Sequence, residues 1–341
     1  MRRCMLKQPQ VLSALCSRGA RTCRAARKGS RVDPLEDVLA LLDTRGHLSA
    51  GLVAGGDWAV EFPPPPGVKF NAVRRGRCLL EVDGVSASIA LSEGDCFLLT
   101  RRRGFTLRSG PQVPAVAAGP LFARADARVA RAGGGDEVHL LGGRFSFGAR
   151  AQGLLLDGLP PVIHLPAGTG RAQTVRWVLD AIDEELRNRR MGATLVAEHL
   201  AIVMLVHVLR SHLESEAGTG PGWLAGLADP AVAAALACVH RDPAHPWTVA
   251  ELARAGSVSR TVLATRFKKV VGQAPHEYLT AWRIELAAKQ LRKGEGTVAS
   301  IAQAVGYSSD SALSTAFKRV MGTSPRHYRE HPESADMAQI R

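Results

Sequence analysis

The sequence lacks an apolar run long enough to cross a lipid bilayer. A membrane-spanning helix needs about 20 predominantly apolar residues. The nearest candidate, the segment 195–213, is interrupted by charged and imidazole side chains: Glu198, His199, His207, Arg210 and His212. We therefore predict a chain without a membrane partner. The first 32 residues also lack the continuous apolar stretch of a secretory signal.

The cysteines lack the spacing of a metal or redox motif. None of the six stands in a Cys-x-x-Cys pair, and none lies at zinc-ligand spacing with a pair of histidines. Cys78 and Cys96 fall in apolar stretches and are predicted to be core residues. Nothing indicates disulfide bonds, so the pattern favours a reducing, cytoplasmic setting.

Acidic residues are missing from the first 32 positions, which hold nine Lys or Arg. Residues 33–228 are nearly neutral, with 20 basic and 21 acidic side chains, whereas residues 229–341 hold 15 basic and ten acidic ones. The net charge of +13 therefore lies at the two ends, which suits a polyanion such as DNA or is simply a solvated surface. For residues 1–32 we expect a disordered arm, unless translation starts later; their Arg-rich composition also imitates an organelle transit peptide.

The middle of the chain has the short alternating segments of antiparallel β structure. Cys78, Leu80 and Val82 alternate with their neighbours, and Asp83-Gly84 predicts a two-residue hairpin turn into a strand over residues 85–91. Residues 92–95 predict a second turn before the strand 96–99, and the glycines at 133–135 and 142–143 are expected to punctuate the later part. The prolines at 63–66 mark a loop. This spacing favours a barrel or sandwich.

Helical periodicity is found on both sides of this β region. Residues 35–43 predict a short amphipathic helix, residues 171–190 a helix with one apolar face, and residues 194–215 a more apolar helix. The Gly-rich segment 216–222 predicts a flexible linker. Asp229-Pro230 then supplies the N-cap and first residue of a C-terminal helical domain.

That C-terminal domain contains an internal duplication. Phe267, Gly272, Pro275 and Tyr278 recur 50 residues later as Phe317, Gly322, Pro325 and Tyr328. In each copy a threonine, Thr248 or Thr297, is placed to cap a short helix, and Glu251 completes a capping box in the first copy. Gly256-Ser257 or Gly306 supplies a tight turn, and Ser259 or Ser309 caps a second helix. This is the order of a helix-turn-helix unit, whose second helix enters the major groove.

Helical geometry selects the side chains that face DNA, because Leu263 and Phe267, or Leu313 and Phe317, take the buried face. The candidate DNA-binding residues are Arg260, Thr261, Ala264, Thr265, Lys268 and Lys269 in the first unit, and Asp310, Ser311, Ser314, Thr315, Lys318 and Arg319 in the second. The basic residues at the helix ends are expected to meet phosphates, although Lys269 also suits a purely solvated position. The Thr, Ser and Asp side chains are expected to read base edges, thymine methyl groups or bridging water.

A helix predicted from about residue 276 to 293 joins the two units. At about 1.5 Å per residue it separates the recognition helices by more than roughly 20 Å. Successive major-groove entries on one face of DNA lie about 34 Å apart, and DNA bending absorbs a mismatch of this size. The two units are therefore expected to read adjacent major grooves.

The segment 229–329 resembles the DNA-binding domain of the AraC/XylS family of bacterial regulators. The matching residues are Leu252-Ala253, Ser259, Phe267-Lys268, Gly272, Pro275, Tyr278, Arg283, Ile301-Ala302, Gly306-Tyr307, Phe317-Lys318-Arg319, Gly322, Ser324-Pro325 and Tyr328-Arg329. The resemblance implies seven helices, two helix-turn-helix units and an asymmetric promoter site. Ala264-Thr265 departs from the larger polar residues common in the family, and Leu313 stands where an aromatic residue is common.

The preceding region resembles the cupin-like sensor domains attached to many such regulators. Gly76, the segment 81–84 and the segment 91–95 carry this resemblance. Metal-binding cupins have two histidines and a glutamate around the first of these motifs, but residues 70–81 contain no histidine, and His47, His139 and His164 are scattered. We therefore expect no metal and no cofactor. The arginines at 74, 75, 77 and 101–103 either receive an anionic effector or form a solvated β face.

These observations predict an α+β chain. Its predicted parts are a basic tail (1–32), a cupin-like antiparallel β-barrel (33–166), a helical linker or dimerisation segment (167–216), a flexible linker (217–228), an all-α DNA-binding domain (229–331) and a disordered tail (332–341). The predicted function is that of a sequence-specific transcription regulator, by resemblance an activator, and not an enzyme. Expected partners are double-stranded promoter DNA, RNA polymerase, an unknown small-molecule effector and a second copy in a homodimer. The alternatives are a cupin-type enzyme fused to a DNA-binding module, and an architectural DNA-binding protein.

Overall fold

The computed structural model describes residues 33–41, 44–125, 129–147, 156, 158–168, 172–188, 190–215 and 222–331. The predictions for the tails, 1–32 and 332–341, and for most of the Gly-rich linker lie outside these residues. The described residues of the N-terminal half contain twelve strands: β1 (Arg45–Leu48), β2 (Gly51–Gly55), β3 (Ala59–Phe62), β4 (Val68–Arg75), β5 (Arg77–Val82), β6 (Ile89–Ser92), β7 (Cys96–Leu99), β8 (Phe105–Arg108), β9 (Val116–Ala117), β10 (Val129–Gly133), β11 (Val138–Ser146) and β12 (Val162–Leu165).

The strands form two sheets that enclose an apolar interior. The larger sheet runs β10-β2-β11-β4-β7-β12, with β1 added on β11, and the smaller runs β6-β5-β8-β3-β9. Most neighbours are antiparallel, but β10 pairs with β2 and β9 with β3 in parallel. Side chains of both sheets, among them Leu52, Leu80 and Leu107, make up one core between them. The predicted barrel-like architecture is confirmed.

Strand β6 and the two glycines at 142–143 differ from the sequence expectation. Asp83-Gly84 does form a turn, in which the Val85 amide donates to the Val82 carbonyl at 2.9 Å. The second strand nevertheless begins only at Ile89, which pairs with Leu80. Strand β5 pairs with β6 along one edge and with β8 along the other, so the hairpin is present, but its connection is longer than the predicted two-residue turn. Gly142 and Gly143 lie inside β11, where a side chain on Gly143 would collide with the Phe70 ring.

Helices cover the outer face of the larger sheet. They are α1 (Pro34–Leu41), α3 (Ala172–Asn188) and α4 (Ala193–Glu214). Helix α2 (Ala118–Ala123) packs instead against the core between the sheets, in which Ala118 is buried. The predicted apolar face of α3 is buried at Val175, Val178, Leu179 and Ile182. On the strand side, Val68, Phe70 and Ala72 of β4 belong to the same core. Successive residues of β4 therefore serve opposite faces of the sheet.

Helix α4 is long and apolar enough to cross a membrane, judged by length and composition alone. The expectation that no segment reaches this length is too strict, because three of the five interrupting residues are histidines. In the fold, Ala197, Ala201 and Met204 of α4 are buried in the core beneath the sheet. A side chain on Gly46 of β1 would stand 2.7 Å from the Glu198 carbonyl, so strand and helix backbones are in close approach. We interpret α4 as a core helix of the folded domain.

The C-terminal region is entirely helical over residues 222–331. Its helices are α5 (Trp223–Ala228), α6 (Pro230–Arg241), α7 (Val249–Ala255), α8 (Arg260–Val271), α9 (Pro275–Arg292), α10 (Val298–Ala304), α11 (Asp310–Met321) and α12 (Pro325–Glu330). The seven helices from α6 onward match the number that the resemblance implies. The predicted flexible linker over 217–228 is wrong at its end, because Trp223 and Leu224 of α5 are buried. Their apolar side chains pack into the domain core. The glycines just before them make the whole segment resemble a flexible linker in the sequence.

The helical region contains two separate cores. Leu263, Phe267 and Tyr278 of the first unit belong to the core that also contains α1, α3, α4 and the outer face of the larger sheet. Leu313, Phe317 and Tyr328 of the second unit form a core of their own. Helix α9 contributes to both, because its residues up to Trp282 enter the first core and those from Ile284 enter the second.

Candidate DNA interface and sensor cavity

Side-chain caps set the beginning of each helix in the first unit. The Thr248 hydroxyl accepts from the Glu251 amide at 3.2 Å while the Glu251 carboxylate accepts from the Thr248 amide at 2.8 Å, so the predicted capping box is present. These hydrogen bonds from Thr248 hold the pKa of Glu251 below its usual range. Ser259 caps α8 through the Val262 amide at 3.3 Å. Thr297 and Ser309 cap α10 and α11 in the same way.

The turn between the paired helices is built differently in the two units. In the second unit Gly306 takes the left-handed conformation, with φ of 87°. In the first unit the left-handed residue is Ser257, with φ of 54°, whereas Gly256 has φ of −84°. Gly256 serves close packing instead, since a Cβ there would stand 2.8 Å from the Ala231 carbonyl. The expectation that either residue of the Gly256-Ser257 pair supplies the turn is resolved in favour of Ser257.

The repeated residues end each recognition helix in the same way. Gly272 and Gly322 have φ of 88° and 73°, and their amides donate to the Lys268 and Lys318 carbonyls. Pro275 and Pro325 then occupy the first turn of the next helix, where a missing amide hydrogen has no effect. Edge-to-face pairs join Phe267 to Tyr278 and Phe317 to Tyr328. The duplication seen in sequence is thus a duplication of geometry.

Helix α8 presents most of its candidate residues to solvent. Arg260, Thr261, Thr265, Lys268 and Lys269 are exposed, and Ala264 is half-buried at the edge of the face. Among the described residues, no acidic side chain forms an ion pair with Lys268 or Lys269. These two ammonium groups are therefore available to phosphates.

Two further exposed residues of α8 were missed from the sequence. Val262 is 38% exposed, and Arg266 lies 4.0 Å from the Asp229 carboxylate that also caps α6. On the helical wheel, Val262 and Arg266 lie outside the face that Leu263 and Phe267 bury, so the sequence alone predicts that both are exposed. A valine at the surface of a recognition helix suits contact with a thymine methyl group.

Helix α11 presents a different surface. Asp310, Ser311, Thr315, Lys318 and Arg319 are exposed, and Ser314 is half-buried. The Asp310 carboxylate accepts from the Ser311 amide at 2.8 Å, and the Thr315 hydroxyl donates to the Ser311 carbonyl at 3.0 Å. The structure therefore places all twelve candidates along two separate helices, six on each. Arg260 begins α8, and the other basic candidates lie in the last turns.

A joint connects the two units beside α9. The Arg283 guanidinium donates to the carbonyls of Pro243 at 2.6 Å and His245 at 2.8 Å, and it lies 5.7 Å from the centre of the Tyr307 ring. A Cβ on Gly306 would stand 2.5 Å from the Ala244 carbonyl. The turn of the second unit therefore packs on the loop before α7 of the first, and the angle between the units is fixed by more than the shared helix.

A buried polar chain connects α1 of the N-terminal region to the first unit. The Trp223 indole donates to the Tyr278 hydroxyl at 2.7 Å, Tyr278 lies 2.7 Å from His240 Nε2, and His240 Nδ1 lies 3.3 Å from the Asp37 carboxylate. A proton-consistent arrangement has Tyr278 donating to a neutral His240. Burial lowers the pKa of His240, although Asp37 opposes the shift. The Lys289 ammonium adds a second contact to α1 through the Ala40 carbonyl at 2.6 Å.

A cavity of about 270 Å³ opens between the two sheets of the barrel. Its described lining is mostly apolar, with Leu52, Phe62, Leu107, Phe122 and Leu140 among the walls, and Lys69 and Asn71 as polar members. The arginines considered for an effector are placed elsewhere: Arg74 pairs with Asp180, and Arg103 donates to the Asp83 carbonyl at 2.7 Å. Lys69 was not singled out from the sequence, although it is the one lysine between residues 33 and 214.

The three histidines considered for a metal site, His47, His139 and His164, lie on different strands. His47 contacts Ser146, and His164 contacts Asp95 at 3.1 Å. Among the residues that the structure describes, no group of three or more His, Cys, Asp or Glu side chains is arranged to hold a metal ion. Cys78 and Cys96 are buried free thiols as predicted, and burial raises the pKa of each to about 12.

Two helix-turn-helix units behind a cupin-like domain define a DNA-binding transcription regulator. Comparison with known families agrees: the family described as Cupin matches residues 33–214, and the one described as Helix-turn-helix domain matches residues 252–331. The chain belongs to the AraC-like family of transcription regulators, as the resemblance in sequence indicated.

Two relatives from Streptomyces are described as AraC-like regulators and match this chain over almost their whole length. A "Putative AraC-like transcription regulator" of Streptomyces lividans is 65% identical over 301 residues, covering 88% of this chain and 99% of the relative. A protein of the same description from Streptomyces antibioticus is 63% identical over the same shares. The "HTH-type transcriptional regulator AlkR" of Acinetobacter baylyi is 35% identical over 179 residues, covering 52% of this chain and 58% of that protein.

Proposed function

We propose that the chain reads an asymmetric promoter site through α8 and α11, which enter adjacent major grooves, and that it activates transcription by contact with RNA polymerase. The observation that carries this proposal is the pair of dissimilar exposed faces on two helices held by one connecting helix. At about 1.5 Å per residue, the 18 residues of α9 extend about 27 Å. Groove entries about 34 Å apart are within reach of helices so joined.

On both helices, we propose that some exposed residues contribute to affinity and others to specificity. Lys268, Lys269, Lys318 and Arg319 are proposed to neutralise phosphates, because they lie in the last turns without acidic partners among the described residues. Arg260, Thr261, Ala264 and Thr265 are proposed to read the first half-site. Asp310, Ser311, Ser314 and Thr315 are proposed to read the second, where the Asp310 carboxylate suits a cytosine amino group.

The N-terminal domain is proposed to sense a small molecule and to form a homodimer. The barrel cavity supports the first role. Exposed apolar side chains on the covering helices support the second: Trp177, Leu195, Val196 and Val203 are each more than 40% exposed. Apolar side chains grouped on a surface are the usual mark of an interface. A regulator of promoters works in the cytoplasm, and we place this one on the nucleoid.

We further propose that the chain catalyses no reaction. A cupin-type enzyme fused to a DNA-binding module would need ligands for a metal or a convergent acid–base cluster. The pairing of Asp95 with His164 instead serves the fold, because Asp95 also accepts from the Ser92 and Ala167 amides. The carboxylate closes the turn before β7 and anchors the end of β12.

The proposal is tested by locating the DNA sites and then dissecting one of them. The full chain is crosslinked to DNA in cells, the sites are sequenced, and a duplex carrying one site is titrated with purified protein by fluorescence anisotropy. Scrambling either half should weaken binding at least tenfold, since one mismatched base pair costs about 1–3 kcal/mol. Reversing the order of the halves should weaken it as much.

An equal affinity for the site and for a fully scrambled duplex would contradict sequence-specific reading and favour an architectural protein. Loss from only one scrambled half would mean that a single unit reads DNA. Transcription from the same promoter, with and without the protein, distinguishes an activator from a repressor.

A further inference from the structure

The barrel cavity has a polar end built by one strand. Residues of β4 alternate, so that Phe70 and Ala72 enter the core beneath the covering helices whereas Val73 enters the core between the sheets. Lys69 and Asn71 share the inward parity of Val73 and line the cavity. Ser49 adds a hydroxyl group to this end, and the wall formed by Leu52, Leu107 and Leu140 is apolar.

The two polar side chains converge on one point of the facing strand. Gly142 of β11 lies opposite Asn71 in register, and a Cβ added to Gly142 would collide with the Asn71 carboxamide and stand 3.1 Å from Lys69 Nζ. The absence of a side chain at Gly142 therefore makes room for the ends of both polar side chains. A larger residue at this position would displace them.

The polar end contains an ammonium group without an acidic partner. The Lys69 ammonium has a weak contact with the Ser49 hydroxyl at 3.5 Å, and no acidic side chain in the described part of the chain pairs with it. The Asn71 atom that meets Gly142 beside Lys69 is the acceptor Oδ1, whereas its Nδ2 atom is buried without a hydrogen-bond partner among the described residues. An unmatched buried donor costs about 1–3 kcal/mol, and more when it is charged. A cavity that contains such an ammonium is suited to a ligand that supplies an anion.

We propose that the cavity binds a small monocarboxylate with an apolar tail, its carboxylate held by Lys69 and its tail lying among the leucine and phenylalanine side chains. This inference rests on the proposed sensing role and names its ligand class. The volume of about 270 Å³ is just below the roughly 300–1,000 Å³ typical of ligand sites, which limits the tail to a short chain or one ring. A monocarboxylate matches a single ammonium group, whereas a phosphate dianion would leave most of its oxygens without partners.

The ionisation of Lys69 agrees with an anion that arrives from outside. Burial, together with the nearby Arg144 charge, lowers the pKa of Lys69 to about 8. A carboxylate beside the ammonium stabilises its charged form and raises this pKa. Binding near pH 8 should therefore be accompanied by proton uptake, and binding at pH 6.5, where Lys69 is already charged, should not.

The site is tested with hexanoate as the probe and the purified full chain in a calorimeter. Hexanoate should bind, and 1-hexanol, which has the same tail without the charge, should bind at least tenfold more weakly. Lys69→Met should weaken hexanoate binding at least tenfold while leaving 1-hexanol unchanged. Lys293→Met is the matched control, because Lys293 pairs with Glu295 at the end of α9 and lies away from the barrel; it should bind hexanoate like the wild type.

Gly142→Ala provides a second variant that keeps every charge. Its methyl group should displace the Asn71 carboxamide and the Lys69 ammonium and weaken hexanoate binding at least tenfold, while the thermal unfolding midpoint shows whether the domain remains folded. Proton uptake is read from the dependence of the binding heat on buffer ionisation at pH 8. It should be absent from Lys69→Met.

Two results would overturn the proposal: no binding of straight-chain carboxylates from butanoate to octanoate, or equal binding of hexanoate by the wild type and Lys69→Met. The second would indicate a neutral apolar ligand. Affinity for promoter DNA is measured separately by anisotropy. If hexanoate binds without any change in DNA affinity or promoter output, the carboxylate site is supported and the sensing role is contradicted.

Discussion

The single residue Ser257 shows how the two helix-turn-helix units differ beneath a common plan. It holds a left-handed backbone conformation that its counterpart Gly306 adopts without cost. A non-glycine residue in this region costs about 1 kcal/mol or more. The first unit therefore contains a local strain that the second unit lacks.

We expect Ser257→Gly to stabilise the protein by up to about 1 kcal/mol, since it removes this strain while adding some flexibility to the unfolded chain. Gly306→Ala should destabilise the second unit by more than about 2 kcal/mol, because it combines a strained φ with a methyl group against the Ala244 carbonyl. Urea unfolding of both variants measures the two changes. A destabilised Ser257→Gly would mean that the serine side chain contributes to the turn.

The exposed residues of α8 permit a comparison between affinity and specificity. Lys268→Ala should weaken binding to every DNA sequence and lower the slope of log affinity against log salt by about one, because one phosphate contact is lost. Thr265→Ala should leave the slope unchanged and alter the preference for one base pair in the half-site that α8 reads. Anisotropy titrations at four salt concentrations on matched and substituted duplexes separate these effects. An unchanged slope for Lys268→Ala would place that side chain in solvent.

At the scale of elements, α1 joins the N-terminal region to the first unit through the His240 contact. The pKa of His240 is lowered by burial, so the unfolded chain binds a proton here more readily than the folded one. The contribution of His240 to stability is therefore complete above the usual pKa of about 6.5 and is lost as the pH falls below it.

We expect the free energy of unfolding to fall from pH 7 to pH 5.5, and part of this fall to be absent from His240→Gln, whose amide can still face Tyr278 and Asp37. Denaturant titrations of both chains at several pH values measure the difference. His199→Gln, at an exposed position of α4, is the matched control and should keep the wild-type dependence. Identical pH profiles for His240→Gln and the wild type would contradict a neutral buried histidine.

At the scale of the whole molecule, the two DNA-reading units differ in what supports them. The first shares a core with the sensor helices, and the second has its own. Phe267 and Phe317 occupy equivalent, fully buried positions in these cores. Large-to-small changes at such sites cost about 3–5 kcal/mol for Phe→Ala and less for Phe→Leu.

We expect Phe317→Leu to raise hydrogen exchange in residues 284–331 only, whereas Phe267→Leu should raise it in α5 to α8 and in the covering helices as well. Hydrogen-exchange mass spectrometry of the full chain resolves the two patterns. Exchange confined to the first unit in Phe267→Leu would show that the shared core does not act as one cooperative unit.

The sequence predicted most accurately those features that local chemistry determines. Thr248, Ser259, Gly272 and Phe267 each act within one or two helical turns, so their spacing revealed the duplicated units and the exposed faces between them. Features that depend on distant partners were missed. The burial of Trp223 depends on Tyr278, which lies 55 residues away.

The sensor domain shows the same limit. Strand β5 pairs with the distant β8 as well as with the strand that follows, and Lys69 becomes a cavity residue only because β4 and β11 are adjacent. Alternation along β4 does not show which of its two faces meets the other sheet. The one feature of the sequence that distinguishes Lys69 is that it is the only lysine between residues 33 and 214. That feature does not predict a cavity residue unless the order of the strands is known.

The joint at Arg283 has a consequence for how operators of this regulator evolve. A pair of readers on a loose tether tolerates inserted base pairs between its half-sites, since the tether absorbs the change in distance and in helical phase. Here one rigid helix and a packed turn set both quantities at once. Point substitutions can tune such an operator gradually. An insertion or deletion of even one base pair between the half-sites should abolish simultaneous binding of both units. Related promoters should therefore differ in base sequence within the half-sites and keep the spacing between them.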